Sequence, residues 1–435
     1  MKVIDSTKSI CPMCKKIIPA KIFYENENVI MYKQCQHHGV FRSIHPLELK
    51  DLYEITNRIF EKNVHFLCGD TLSCENCNKH IFRPCEIAIA ITKKCNLNCP
   101  FCYEGTKSFI DELNIKDFKK ITNRFSNEIP FTILGGEPTI KRNLFNIINY
   151  LKKKDYKFDI ITNGILTSKE EFVKRLKKAG GSNVSIAISF EGNSEAYKKL
   201  RGIDNIKSVL NSIKNFKKYK INFFIFSTII KENLNEIKKI AELSANEGAS
   251  FLRLSPAFYT IFMERNKNSV YKDVSLKHII KEVCKNFDLN IKDLAEQIEF
   301  RYMLEKIKDY ILYGSYRKRL CHIILWFYKK EGKLVKFNKS IEFKVIYFIL
   351  KLASQTYTLK FLKYFRKSFL FLKDSFFKRY TMKDNKLFKI AIMTIMNSYN
   401  IDLRNLQECN ELRIFNRKHI ENPTPLCYYL SYREK

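Results

Sequence analysis

The 435-residue sequence predicts an α/β fold: a parallel sheet built from alternating strands and helices, with a cysteine-rich ribbon before it and a mainly helical region after it. Two observations carry this expectation. Ten of the fourteen cysteines lie in the first quarter of the chain, in short-spaced groups. From Glu86 onward, apolar runs of strand length alternate with Lys- and Glu-rich stretches whose apolar residues recur at three- and four-residue steps. The expected units are a Cys-rich ribbon and auxiliary metal or cluster segment over 1–85, the sheet domain over 86–257, and a C-terminal region over 258–435.

Composition narrows the class. Hydrophobic residues make up 45% and aromatic residues 14%, enough apolar surface for a sizeable core, which excludes wholesale disorder and collagen-like repeats. The formal net charge of +33 would attract polyanions or an anionic membrane surface, but Lys, Asn and Ile are abundant throughout, so charge alone does not decide the function. The segment Met1-Lys2-Val3-Ile4-Asp5 has no apolar signal core, so a cytoplasmic location is expected, with reduced thiols rather than disulfides. Lys344, Lys351, Lys360 and Lys363 interrupt the most apolar region, and no uncharged run of about 20 residues is left to span a bilayer.

In chain order, the ribbon comes first. Cys11-Pro-Met-Cys14 and Lys33-Gln-Cys35-Gln-His37-His38-Gly39 read as two halves of a rubredoxin- or zinc-ribbon-like knuckle. Three thiolates are evident; the fourth ligand is His37, His38 or a cysteine elsewhere, and the metal is mononuclear iron or zinc. Cys68, Cys74, Cys77 and Cys85 follow as four closely spaced thiolates, enough to close an auxiliary Fe–S cluster that relays electrons or braces the fold.

Six strand-like runs come next: Glu86 to Thr92, Phe131 to Gly135, Phe158 to Thr162, Val184 to Phe190, Ile221 to Ile229 and Phe251 to Ser255. Such a βα series forms a parallel sheet, open or curled toward a barrel, with chemistry at the carboxyl ends of the strands. Directly after the first strand stands Cys95-Asn-Leu-Asn-Cys99-Pro-Phe-Cys102, three thiolates within eight residues. A [4Fe–4S] cube has four iron corners, so three protein ligands leave one iron open to a small molecule. C-x3-C-x2-C at the end of such a strand is not a usual zinc-knuckle spacing.

With this loop in place the sequence resembles the radical S-adenosylmethionine (SAM) superfamily. The resemblance implies a partial (β/α)6 TIM-like barrel, a catalytic [4Fe–4S] cluster on Cys95, Cys99 and Cys102, and reductive cleavage of SAM to a 5′-deoxyadenosyl radical that abstracts hydrogen from an unactivated carbon. It also assigns cofactor contacts: Phe101 beside the adenine, the segment Gly135-Gly136-Glu137-Pro138 toward the methionine amino group, Asn163 after the third strand, and Ser189, Glu191 and Arg201 toward ribose and carboxylate. A reductant such as ferredoxin or flavodoxin would supply the electron.

The cysteine pattern as a whole, including Cys321, Cys409 and Cys427, is similar to the tetraether lipid synthase-like subgroup, whose members form carbon–carbon bonds on lipid chains. A second Cys near Cys321 is missing here, so one auxiliary site is expected to be incomplete. Phe361, Phe365, Phe369, Leu372 and Phe376 recur at helical spacing among lysines, as in a basic amphipathic helix that would lie on the inner membrane face and bring a lipid substrate to the barrel. Three functions result: radical chemistry on a lipid-like substrate; the same chemistry on a peptide or pterin-like metabolite; and a non-catalytic zinc-ribbon protein binding nucleic acid, for which no reading motif is present.

Overall fold

The computed structural model describes residues 2–59, 86–102, 112–257, 274–313 and 322–339, together with strands and single positions between 343 and 425. The ribbon is an antiparallel meander of β1 (Val3–Ile10), β2 (Ile17–Glu25), β3 (Asn28–Cys35) and β4 (Gly39–Leu49). Alternating burial in β2 turns Ile18, Ala20 and Ile22 inward. The two short connections β1–β2 and β3–β4 carry Cys11 to Cys14 and His37 to His38, so both cysteine knuckles fall at the same end of the sheet. Helix α1 (Lys50–Ile59) then buries Leu52, Tyr53 and Ile55.

The main sheet has eleven strands. Its centre is β5 (Glu86–Thr92), β6 (Phe131–Gly135), β7 (Phe158–Thr162), β8 (Val184–Ser189), β9 (Asn222–Ile229) and β10 (Leu252–Pro256), each parallel to the next. These are the six runs expected from sequence, within a residue at each end. Between them lie α2 (Ile115–Arg124), α3 (Leu144–Lys153), α4 (Glu170–Gly180), α5 (Ser194–Arg201), α6 (Ile206–Lys218) and α7 (Ile237–Asn246). Their apolar stripes explain the packing: α3 buries Leu144, Ile147, Ile148 and Leu151, the i, i+3, i+4, i+7 positions of one face. Helix α2 starts on a reciprocal cap, in which the Asn114 side chain accepts from the Asp117 amide and Asp117 accepts from the Asn114 amide.

The C-terminal region contributes α8 (Leu276–Asn286) and α9 (Ile291–Tyr313), and also strands that lengthen the sheet at both ends. At one end β13 (Leu387–Met393) runs parallel to β10, and β11 (His322–Lys330) and β12 (Lys333–Lys336) follow antiparallel. At the other, β14 (Glu411–Ile414) runs parallel to β5 and β15 (Thr424–Pro425) closes the edge. Residues from β5, β6 and β7 and from β10, β11 and β13 line one cavity, so the sheet curls around it. The ribbon docks on this unit through Glu48, whose carboxylate accepts from the Leu276 and Lys277 amides at the start of α8.

Cys68, Cys74, Cys77, Cys85, Cys321, Cys409 and Cys427 lie outside the described residues, as does the basic stripe from Phe361 to Phe376. Among the described residues, no helix is long and apolar enough to cross a membrane.

Candidate functional site

The cysteine loop is held against the sheet by backbone. The Gly136 amide donates to the Thr92 carbonyl and the Glu137 amide to the Lys94 carbonyl, both at 2.8 Å. A Cβ on Gly135 would stand 2.1 Å from the Thr92 oxygen, and one on Gly136 2.2 Å from the Lys94 oxygen. The paired glycines thus let the end of β6 touch the loop itself.

Cys95, Cys99 and Cys102 are free thiols that line a cavity of about 390 Å³. Burial pushes the Cys95 thiol up to about 11, and burial also raises Cys99 despite the adjacent Arg201 cation. Among the described residues, only the ribbon's ligand set gathers its atoms within 4.8 Å of one another. Three thiols, with no fourth among the described lining residues, suit a cube in which each thiolate takes its own iron.

Around the trio, Phe101, Gly135, Gly136, Glu137, Asn163, Ser189 and Arg201 line the same cavity, so seven of the nine residues singled out in sequence for SAM meet the three thiols there. Phe101 is buried against Ala196, Leu200, Ile230 and Ala257. Glu191 does not line the cavity. It is fully buried, accepts two hydrogen bonds from the Arg201 guanidinium and one from the Thr228 amide at 2.8 Å, and so fixes Arg201 in place. Burial opposes the Arg201 charge, yet Glu191 more than compensates and raises its pKa.

Glu137 lines the cavity but its carboxylate is already engaged. Oε1 accepts from the Thr139 amide and hydroxyl at 3.1 and 2.5 Å and from the Thr162 hydroxyl at 2.8 Å, while Oε2 accepts from the Asn163 amide at 2.8 Å. It braces the carboxyl ends of β6 and β7, and Asn163 in turn donates to Asn96 of the cysteine loop at 2.8 Å. Pro138 sits buried in the turn after Glu137.

The deep cavity wall carries residues that sequence reading did not single out. Glu86, Thr132 and Asp159 stand on β5, β6 and β7. The Thr132 hydroxyl donates to Glu86, and Asp159 faces Thr132 across the β6–β7 ladder. Burial, then the Glu86 charge, pushes the Asp159 carboxyl up to about 7. From the other end of the sheet come Arg253, His322 and Lys389, on β10, β11 and β13. Burial, with Arg253 and Arg301 nearby, brings His322 down to about 3 and keeps it neutral. Phe224 and Phe251 stack at 4.5 Å between these walls. The available signal was polar residues inside otherwise apolar strands, as in Phe158-Asp-Ile-Ile-Thr162.

In the ribbon, Cys11, Cys14, Cys35 and His38 bring one ligand atom each to within 4.8 Å of the others. The His38 Nδ1 lies 3.5 Å from the Cys35 sulfur and 3.8 Å from that of Cys11, and the Cys14 and Cys35 sulfurs are 3.8 Å apart. Hydrogen bonds from the His38 side chain and the His37 backbone bring the Cys35 thiol down to about 6. Of the two candidate histidines, His38 joins the set. Three sulfurs and one imidazole fit a closed tetrahedral zinc or iron site.

Residues 89–244 match the family model described as the Radical SAM superfamily, and residues 3–45 match the HMPTM N-terminal zinc ribbon domain. Among curated proteins, the chain is 31% identical over 243 residues to the 7,8-dihydro-6-hydroxymethylpterin dimethyltransferase of Methanocaldococcus jannaschii, covering 53% of this chain and 48% of that protein. It is 30% identical over 184 residues to a probable GTP 3′,8-cyclase of Saccharolobus islandicus, covering 40% and 57%. The chain thus spans about half the length of the curated relatives it matches. Among solved structures, SuiB of Streptococcus suis bound to S-adenosylmethionine shares 18% identity, covers 62% of this chain and 69% of its own, and has a TM-score of 0.42. The radical SAM superfamily is supported by both the family model and the relatives, and it implies an enzyme with a [4Fe–4S] cluster and SAM. The tetraether lipid synthase-like subgroup is not among these matches, which are of pterin methyltransferase and GTP cyclase type.

Proposed function

We propose, from the match of residues 89–244 to the radical SAM superfamily model, that this chain reductively cleaves SAM and uses the 5′-deoxyadenosyl radical to take hydrogen from a small polar heterocycle of pterin type. The observation that carries the reading is the convergence of Cys95, Cys99 and Cys102 with Phe101, Asn163, Ser189 and Arg201 on one cavity at the carboxyl ends of the strands. When bound, the cluster supplies one electron to the sulfonium, whose C5′–S bond then breaks.

The chain's own residues do the rest. Cys95, Cys99 and Cys102 would hold three irons, and Arg201, clamped by Glu191, offers a fixed cation to the methionine carboxylate. Phe101 offers an apolar face for the adenine, and the Ser189 hydroxyl a partner for the ribose. Glu137 holds the strand ends and, through Asn163, the cysteine loop.

The pterin-type substrate draws support from the named activity of the Methanocaldococcus relative and from the polar cavity wall. Carbon–carbon bond formation on a lipid chain has less support, because an aliphatic chain would leave Glu86, Asp159, Arg253 and Lys389 facing hydrocarbon.

The test is anaerobic incubation of reconstituted enzyme with SAM and dithionite, followed by chromatography of 5′-deoxyadenosine. Adding 7,8-dihydro-6-hydroxymethylpterin should raise its formation about tenfold or more and give a pterin of changed mass, whereas extracted lipids should not. Absence of 5′-deoxyadenosine under every condition refutes SAM cleavage; stimulation by lipid alone refutes the pterin assignment.

A further inference from the structure

We infer that the deep cavity is a two-pole recognition site, in which Glu86 and Asp159 grip the N–H edge of a flat heterocycle while Arg253 and Lys389 take an anionic substituent, phosphate or carboxylate, at its other end. The inference rests on the pterin-type reading and names what the ring carries.

The first pole is built by register. Glu86, Thr132 and Asp159 occupy three adjacent strands, with Thr132 donating to Glu86 and paired directly opposite Asp159. The next strand supplies Ser185, opposite Asp159 in the ladder. Thr132 thus orients the Glu86 carboxyl from within the sheet. A ring N–H beside an exocyclic N–H presents the same paired-donor edge by which a guanidinium engages a carboxylate. Phe224 and Phe251 supply aromatic faces in the same cavity.

The second pole lies on the other end of the curled sheet. The Arg253 guanidinium stands 3.3 Å from the centre of the Phe226 ring, and the Lys389 ammonium 5.1 Å from that of Trp326. Among the described residues no carboxylate forms an ion pair with Lys389, and burial alone depresses its pKa. A partly buried cation without a counter-charge is costly, and an anionic ligand group removes that cost. His322 lines the same wall, and among the described residues its imidazole has no hydrogen-bond partner. Arg201, already engaged by Glu191 next to the cysteine loop, is a separate cation.

The experiment measures equilibrium binding to the reconstituted, SAM-loaded enzyme by pterin fluorescence, with three probes: 7,8-dihydro-6-hydroxymethylpterin, its phosphate ester, and the corresponding 6-carboxylate. At least one anionic probe should bind about tenfold or more tighter than the neutral alcohol. Lys389→Met should remove that advantage without weakening the alcohol, Lys389→Arg should keep it, and Glu86→Gln should weaken all three by about tenfold. An unchanged melting temperature and iron content in each variant report an intact fold and cluster. The preferred anion tells phosphate from carboxylate. If the probes bind without anionic preference, or Lys389→Met weakens all three alike, this inference falls and the pterin reading stands. Failure of all three to bind, with substrate-free cleavage intact, overturns the pterin reading and this inference together.

Discussion

The ribbon and the cysteine loop each present thiols to a metal, and they differ in how many ligands converge and how tightly. In the ribbon, Cys11, Cys14, Cys35 and His38 lie within 4.8 Å of one another, with Cys11 and Cys35 buried. Such a set completes a tetrahedron and leaves no position for a substrate. In the loop, three thiols open onto a cavity of about 390 Å³ shared with Arg201 and the polar wall. Three ligands leave a valence for chemistry. The same residue type therefore braces one region and reacts in the other, and ligand number with local openness makes the difference.

A reciprocal pair of substitutions breaks this comparison most sharply. Cys99→Ala should lower 5′-deoxyadenosine formation by about a thousandfold or more, while metal analysis still finds the ribbon ion. Cys14→Ser should do the reverse: the ribbon ion is lost, because its site is assembled only by folding, and SAM cleavage stays within about threefold of the parent. Loss of cleavage in both variants would mean that the ribbon metal takes part in the chemistry.

A glycine from each region sharpens the contrast at the level of backbone. A Cβ on Gly136 would stand 2.2 Å from the Lys94 oxygen and 2.6 Å from its carbonyl carbon, so Gly136→Ala must displace the cysteine loop. Iron content and cleavage rate should fall together, the rate by about a hundredfold, as expected when a reacting group moves by about 1 Å. Gly39, the first residue of β4 after the ribbon turn, has φ +74° but nothing within 4 Å of its Cβ position. Gly39→Ala should cost only the left-handed backbone penalty of about 1–2 kcal/mol, seen as a lower melting temperature with cleavage unchanged.

What the sequence disclosed follows the range of the interactions. The six central strands, the C-x3-C-x2-C loop and the three ribbon thiols are local patterns, and each is recovered at its predicted place. Strands β13 and β14 are not local: Ile390 pairs beside Leu252 and Leu412 beside Ile87, partners more than a hundred residues apart that leave no periodicity to read. The choice between His37 and His38 depends on which side chain the turn directs at the thiols. Glu137 shows the opposite limit. Its residue type suggested a partner for an ammonium, whereas Thr139, Thr162 and Asn163 already occupy its oxygens. Glu86, Asp159 and Lys389 acquire meaning only because the sheet curls and turns three distant strands toward one space.

Each region also holds an ionisable group brought to about 7, fully buried in the ribbon and half-buried in the cavity, and from opposite directions. Burial lowers Lys33 in the ribbon, where it donates to the Ser9 hydroxyl and the Ile10 carbonyl, and burial raises Asp159 in the cavity, with Glu86 adding to the shift. For Asp159 the sign is fixed by linkage. The folded state keeps a proton up to about pH 7 that the unfolded chain releases near 3.8. Its contribution to stability is fully present below pH 3.8 and is lost as pH rises through about 7. The full difference corresponds to about 4 kcal/mol, an upper bound because the cavity admits solvent. Asp159→Asn keeps the size of the side chain and removes the titration. The difference in melting temperature between Asp159→Asn and the parent should therefore grow in favour of the variant from pH 5 to pH 8. A constant difference across that range would place the Asp159 carboxylate in water and dissolve the contrast between the cavity wall and an ordinary surface.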